Sequence, residues 1–104
     1  YPIPSVNINR RGLKLDYFIN GKISDKTISH KLFRHRSAFA RKFYDEMPGE
    51  VIKIDPSSFM CDSTFCYGIR DGVILISDVD HPSLATSEWI LNEVYTNIED
   101  AKWL

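Results

Sequence analysis

The sequence has no long apolar stretch and no setting for a nucleophilic serine. None of its apolar runs approaches the ~18 residues of a membrane-spanning helix, so we expect no span here. No Ser, Thr or Cys stands in a Gly-Asp-Ser or Gly-x-Ser-x-Gly setting, which excludes a nucleophile elbow from these residues. The opening Tyr1-Pro2-Ile3-Pro4 lacks the charged and apolar regions of a signal peptide. We therefore expect residues 1–104 to be one partial domain that begins inside a larger one.

The net charge of -1 excludes little, but the charges are unevenly distributed. Residues 1–50 hold ten Lys and Arg against five Asp and Glu, whereas residues 51–104 hold three against nine. The basic half could meet phosphate or an anionic membrane face, or residues such as Arg34, Arg41 and Lys42 could form a solvated helix face. No alternation of basic and aromatic residues indicates a platform for single strands, so no nucleic-acid partner is expected.

The chain has only two cysteines, Cys61 and Cys66, separated by four residues. Two thiols are too few for a structural zinc site, and the spacing is not that of a redox Cys-x-x-Cys pair. The spacing favours a short disulfide that staples a loop, with two reduced buried thiols as the alternative. A disulfide would place the domain outside the cytoplasm.

The first half of the chain predicts a strand, a helix and a second strand. Apolar residues alternate over 13–19 and are followed by the turn signal Asn20-Gly21, which allows a short strand. Ser24 or Asp25 can cap a helix over about 25–46, and its apolar spacing predicts four buried side chains, those of Ile28, Leu32, Phe39 and Phe43. Residues 51–54 then predict a strand, so a parallel sheet covered by helices is expected.

The second half predicts a hairpin followed by a helix. Residues 67–70 and 73–76 flank Asp71-Gly72, the strongest hairpin signal in the sequence. A second helix begins at Pro82 or Ser83.

The segment Asp78-Val79-Asp80-His81 follows the second hairpin strand after a single residue, Ser77. A carboxylate three residues before an imidazole can orient the ring and stabilise its charged form, so His81 is a candidate general base and Asp78 its partner. The alternative is an ordinary loop histidine near two acids. Too few oxygen ligands accompany this segment for a hard cation, so neither a metal nor a cofactor is expected.

These features in this order resemble the end of the SGNH hydrolase fold, in particular the SGNH domain attached to bacterial membrane-bound O-acyltransferases that modify surface polysaccharides. The features are residues 52–56, the two cysteines, Asp71-Gly72, the Asp-x-x-His segment and Ser83. The sequence departs from the family pattern at Pro82, where an apolar residue such as Leu is common, and at Thr86, where a Gly often stands. The resemblance implies the C-terminal fragment of a three-layer α/β/α, flavodoxin-like fold with parallel strands, one hairpin and two main helices.

The resemblance also implies a function for the parent protein. It would be an extracytoplasmic, membrane-tethered esterase or O-acyltransferase that acts on a sugar hydroxyl, with Asp78 and His81 as half of a Ser-His-Asp triad. Its partners would be a carbohydrate substrate, the N-terminal remainder of the SGNH domain, which holds the nucleophile and oxyanion hole, and a membrane acyltransferase domain. The alternative is a small extracytoplasmic binding module, without enzymatic activity, that has a disulfide-stapled loop.

Overall fold

The computed structural model describes residues 1–8, 10–77 and 81–101, with the backbone alone at 10, 11, 16 and 99–101. The elements in chain order are α1 (Arg10–Asn20), β1 (Lys26–Ser29), α2 (His30–Asp45), α3 (Ser57–Met60), β2 (Phe65–Arg70), β3 (Val73–Ile74) and α4 (Leu84–Ala101). The chain is therefore of mixed α/β composition, which confirms the predicted class in its broad form.

The three strands form one sheet in the order β1-β2-β3. Both strand pairs are antiparallel, with Thr27 opposite Tyr67 in one and Ile69 opposite Ile74 in the other. The predicted parallel strands and three-layer arrangement are therefore not confirmed within the described residues. Residues 51–54 lie in a loop and not in the predicted strand. A short apolar run becomes a strand only beside a partner strand, and none of the described strands pairs with this run.

The segment predicted as a strand over 13–19 is instead the body of helix α1. Alternating apolar residues suggested a strand, but leucine and lysine favour a helix and Ile19 is the only β-branched residue among them. Gly21 ends the helix with a φ of 72°, and its N–H donates to the Tyr17 carbonyl at 2.8 Å. The Asn20-Gly21 signal therefore marks a helix C-terminus and not a hairpin turn.

The long helix begins later than predicted because its first expected turn is strand β1. Thr27 and Ile28 are β-branched and pair with β2, and Ser29 caps α2 by accepting a hydrogen bond from the Leu32 N–H at 3.0 Å. Asp25, the predicted cap, instead accepts a hydrogen bond from the Asp71 N–H at 2.9 Å.

The side chains that α2 buries differ from the predicted ones. Phe33 and Ser37 are buried, whereas Phe39 is 87% exposed, Phe43 56% and Leu32 37%, and Ile28 before the helix is half-buried. The prediction that these four residues share a buried face is therefore wrong for the three in the helix. Arg34 and Lys42 are exposed, as predicted. The helix turns its Phe33 face to the sheet, which leaves the Phe39 face to the outside.

The hairpin of β2 and β3 has the predicted turn, and the core is built around it. Asp71 and Gly72 have positive φ values of 51° and 79°, which suit a two-residue turn between antiparallel strands. The main apolar cluster of buried residues comprises Val6, Met60, Tyr67, Leu75 and Ile76. A Cβ added to Gly68 would lie 2.9 Å from the Val6 Cβ and 3.1 Å from the Ile76 Cγ2, so only glycine allows this close approach.

Candidate active-site loop

After β3 the chain passes through two buried residues, Leu75 and Ile76. It returns beside Ile76 at Pro82, after the five-residue segment 77–81. Leu75 and Ile76 are 4% and 0% exposed, and Ile76 forms an isolated antiparallel bridge with Pro82. The Ser77 N–H donates to the His81 carbonyl at 2.8 Å, and the Ser77 hydroxyl donates to the same oxygen at 3.3 Å. Both ends of the segment 77–81 are therefore tied to each other at the rim of the core.

The start of α4 is fastened to the same place through the Leu75 carbonyl. This oxygen accepts two hydrogen bonds, from the Ser83 N–H at 3.1 Å and from the Thr86 hydroxyl at 2.6 Å. The Ser83 hydroxyl accepts from the Thr86 N–H at 3.3 Å and thereby satisfies a donor of the first helical turn. Thr86 is fully buried. Pro82 and Thr86, the two departures from the family pattern, thus both take part in anchoring the loop.

His81 lies on this loop with an exposed side chain. A ring that is reachable from solvent, on a backbone whose ends are held, can accept and return protons without a rearrangement of the fold. Asp78 lies outside the described residues, so the expected contact of its carboxylate with the His81 Nδ1 stays a prediction.

The structure joins Cys61 and Cys66 by a disulfide, with a Cα–Cα distance of 4.0 Å. The two residues face each other as an isolated antiparallel bridge, and Cys66 is fully buried. The predicted pairing is therefore confirmed, and the alternative of two reduced thiols is not the one found. The bond closes the turn that leads from α3 into β2.

Asp62 organises the interior of the disulfide loop, a role that the sequence analysis missed. Its carboxylate accepts hydrogen bonds from the Tyr67 hydroxyl at 2.6 Å, the Phe65 N–H at 2.7 Å and the Thr64 N–H at 2.9 Å. These donors, the Tyr67 hydroxyl above all, lower the pKa of Asp62 to about 2, because each one favours the charged carboxylate. The same contact raises the pKa of Tyr67. The signal was Asp62-Ser63-Thr64, a sequence typical of an Asx turn.

His30 contacts the disulfide loop, although it is 31 residues upstream of Cys61. The Arg34 Nε–H donates to the His30 Nε2 at 3.1 Å, so Nε2 is the acceptor and the proton is assigned to Nδ1. Nδ1 then donates to the Asp62 carbonyl at 2.6 Å. Among the described residues, His30, Cys61 and Cys66 bring metal-ligating atoms within 4.8 Å of one another, but both sulfurs are bonded to each other and offer no thiolate.

A second polar cluster, also missed, fixes the turn before α3. Arg41 makes two hydrogen bonds to Asp55, at 2.9 and 3.0 Å, and a third to the Ser57 hydroxyl at 2.8 Å. Burial alone would raise the pKa of Asp55, but the hydrogen bonds from Arg41 and Ser57 outweigh it and the pKa is lowered. The Arg41 Nε is buried without a hydrogen-bond partner among the described residues, but the other polar atoms of Arg41 and Asp55 bond within the cluster. The cluster lies on the opposite side of α3 in sequence from the His81 loop, so we assign it a structural role.

A groove of about 770 Å³ is lined by residues of α1 and β3 and by Ser77, the first residue of the candidate loop. Its lining is mostly apolar and includes Leu13, Phe18 and Ile74. Since the Ser77 N–H donates to the His81 carbonyl, the groove includes a residue that is bonded to the His81 backbone.

An exposed imidazole on an anchored loop that follows a strand is a feature of hydrolases and acyltransferases that use a histidine base. Residues 1–96 match the family model described as "SGNH domain (fused to AT3 domains)". The chain belongs to this SGNH family. No curated protein and no solved structure matches the chain significantly. None of the described helices is both long enough and apolar enough to span a membrane.

Proposed function

We propose that the chain supplies the histidine and aspartate of a Ser-His-Asp triad in an SGNH esterase or O-acyltransferase. His81 is the general base and Asp78 the residue that orients it. The observation that carries the proposal is the exposed His81 side chain on a loop whose two ends are hydrogen-bonded together, in a member of this family. The serine and the oxyanion hole come from the N-terminal remainder of the domain.

In the first half of the reaction, the serine oxygen attacks the acyl carbonyl while His81 takes the hydroxyl proton. The tetrahedral intermediate collapses, His81 returns that proton to the leaving group, and the acyl group stays on the serine as an ester. In the second half, a sugar hydroxyl or water loses its proton to His81 and attacks the ester carbonyl. His81 then protonates the departing serine oxygen, so the enzyme ends as it began.

The fusion to AT3 domains that the family description records supports our proposal for the substrate and the location. A membrane acyltransferase domain in the same chain would deliver the acyl group, most simply acetyl, and the SGNH domain would pass it to a hydroxyl of a surface polysaccharide. The Cys61–Cys66 disulfide supports an extracytoplasmic position, since such bonds persist in oxidising compartments. The groove that Ser77 helps to line is where we place the remainder of the domain, because its serine must come within hydrogen-bond reach of His81.

The test uses the parent domain, in which an upstream segment with a Gly-Asp-Ser block is joined to this chain. With an activated acetyl ester as substrate, His81→Ala should lower kcat by about 10⁴-fold or more. Asp78→Asn should lower kcat less, because aspartate orients the ring and moves no proton itself. His35→Ala is the matched control, since His35 is also an exposed histidine but lies on α2. It should keep the parent activity.

Two results would contradict the proposal. Activity that survives His81→Ala would remove the base from its assigned role. A parent domain with an intact serine block and no esterase or transferase activity on any acetyl ester or acetylated sugar would favour the non-enzymatic binding module.

A further inference from the structure

The outer face of α2 carries apolar side chains that the described chain leaves partly or largely uncovered. Phe39 is 87% exposed, Phe43 56% and Leu32 37%. At about 100° per residue, the three lie within about 40° of one another on the helix, so they form one narrow stripe. We call Leu32, Phe39 and Phe43 the α2 stripe.

Basic residues lie beside the α2 stripe on the same face. Arg36 projects only about 20° from Phe43 around the helix, and Lys42 lies about 60° from Phe39 on the other side. Both are exposed. Along its full length, α2 carries five cationic residues and one acid, and these are Lys31, Arg34, Arg36, Arg41, Lys42 and Asp45. Arg41 is ion-paired with Asp55, so four cations remain for an outside partner.

Either another protein segment or a lipid surface could cover the α2 stripe, and the position of Arg36 favours the lipid surface. A sheet packed on the stripe would bury the Arg36 guanidinium, and burial of an unpaired charge is costly. A bilayer interface accepts both groups, because the apolar rings enter the boundary of the acyl chains while the long basic side chains reach back to the phosphates. Anionic headgroups also complement the excess positive charge of the helix.

We propose that the α2 stripe and its flanking cations bind an anionic phospholipid surface, with α2 lying in the plane of the interface. The inference deepens the proposed function, because a domain held beside a membrane acyltransferase would be oriented by this contact. The exposed His81 would then keep a fixed orientation relative to the bilayer from which the acyl group arrives.

The experiment measures sedimentation of the oxidised chain with vesicles of phosphatidylcholine alone or mixed with phosphatidylglycerol. We expect binding to the mixed vesicles that weakens as salt is added, and little binding to phosphatidylcholine alone. The double variant Phe39→Ser, Phe43→Ser and the double variant Arg36→Gln, Lys42→Gln should each weaken binding by about tenfold or more. Tyr95→Ser is the matched control: Tyr95 is an aromatic residue that is 66% exposed but lies on α4. It should bind as the unmodified chain does.

Several outcomes would overturn the inference. One is equal binding to the two kinds of vesicle, and another is equal loss of binding in the Tyr95→Ser control. Self-association of the chain that the Phe39→Ser, Phe43→Ser variant abolishes, without vesicle binding, would assign the stripe to a second copy. Vesicle binding that disappears once the upstream part of the domain is joined would assign it to that part. Circular dichroism of each variant establishes that the helices are retained.

Vesicle binding and ester hydrolysis are separate measurements on separate residues. Loss of binding with the His81-dependent activity intact would defeat this inference alone. Absence of that activity with binding intact would defeat the proposed function and leave the lipid contact standing.

Discussion

The strand β2 and the helix α1 both contain several apolar residues but use them in opposite ways. In β2, Cys66 and Ile69 are fully buried and Tyr67 is 9% exposed. In α1, Leu15 is 59% exposed, Phe18 86% and Ile19 67%. The sequences of both segments contain several large apolar residues. Composition therefore does not decide burial here.

The difference in burial comes from the elements that pack against each segment. β2 is the central strand, with β1 on one side and β3 on the other, and α3 packs against it. The disulfide and the Asp62 hydrogen bonds hold its first residues, and Gly68 lets Val6 pack directly on its backbone. α1 borders the groove beside β3, but none of its described side chains belongs to the buried cluster. We expect stability to reside around β2, while α1 offers a surface for other parts of the protein.

The largest expected effect tests this comparison directly. Ile69→Ala removes a fully buried side chain from β2 and should lower the free energy of unfolding by about 2–5 kcal/mol. Phe18→Ala, on α1, should change it by less than about 0.5 kcal/mol although a larger side chain is lost. Urea denaturation of the two variants measures both values. Similar losses would show that α1 belongs to the same cooperative unit as β2.

The disulfide should contribute the next largest share. Replacing both Cys61 and Cys66 by serine should cost about 2 kcal/mol in free energy of unfolding, because a short closed loop constrains the unfolded chain only modestly. The control is Ser63→Ala, an exposed position within the same loop. Urea midpoints for the unmodified chain with and without reductant provide an independent value. An unchanged midpoint after complete reduction would contradict the prediction.

The smallest effect is a pH dependence that centres on the disulfide loop. The pKa of Asp62 is lowered to about 2 in the folded chain, below the ~3.9 of an unfolded aspartate. Its contribution to stability is therefore present above about pH 4 and is lost as the pH falls through about 2. Tyr67→Phe removes the largest cause of the lowered pKa, so its melting temperature should fall less between pH 4 and pH 2 than that of the unmodified chain. Parallel melting curves for the two proteins over this range would count against the assignment.

The sequence predicted those elements whose signals are local. The Asp71-Gly72 hairpin, the disulfide and a helix after Pro82 depend on turn chemistry or spacing within a few residues, and all three are present. β1 could not be predicted, because the identity of residues 26–29 as a strand depends on β2, about 40 residues away. The exposure of Phe39 was missed for the same reason. An apolar face indicates that a partner is needed and does not say which one.

The sequence singled out the candidate loop by its residue types, but it did not predict the hydrogen bonds that anchor the loop. His81 stood out because an acid and an imidazole share one short segment. The anchoring of the loop through the Leu75 carbonyl could not be predicted, because in the sequence Thr86 is an ordinary helix residue. Only the structure shows that its hydroxyl donates to the Leu75 carbonyl. Likewise, His30 and the disulfide loop meet only through the pairing of β1 with β2.

The order β1-β2-β3 also bears on how the chain behaves in concentrated solution. Its two outer strands, β1 and β3, are four and two residues long, and β1 begins with a lysine. Short, charged edges give other copies little backbone to extend into a shared sheet, which is the usual route to fibrils. We therefore expect aggregates of this chain to be amorphous and reversible, because its exposed aromatic side chains drive their formation. A detergent should dissolve them.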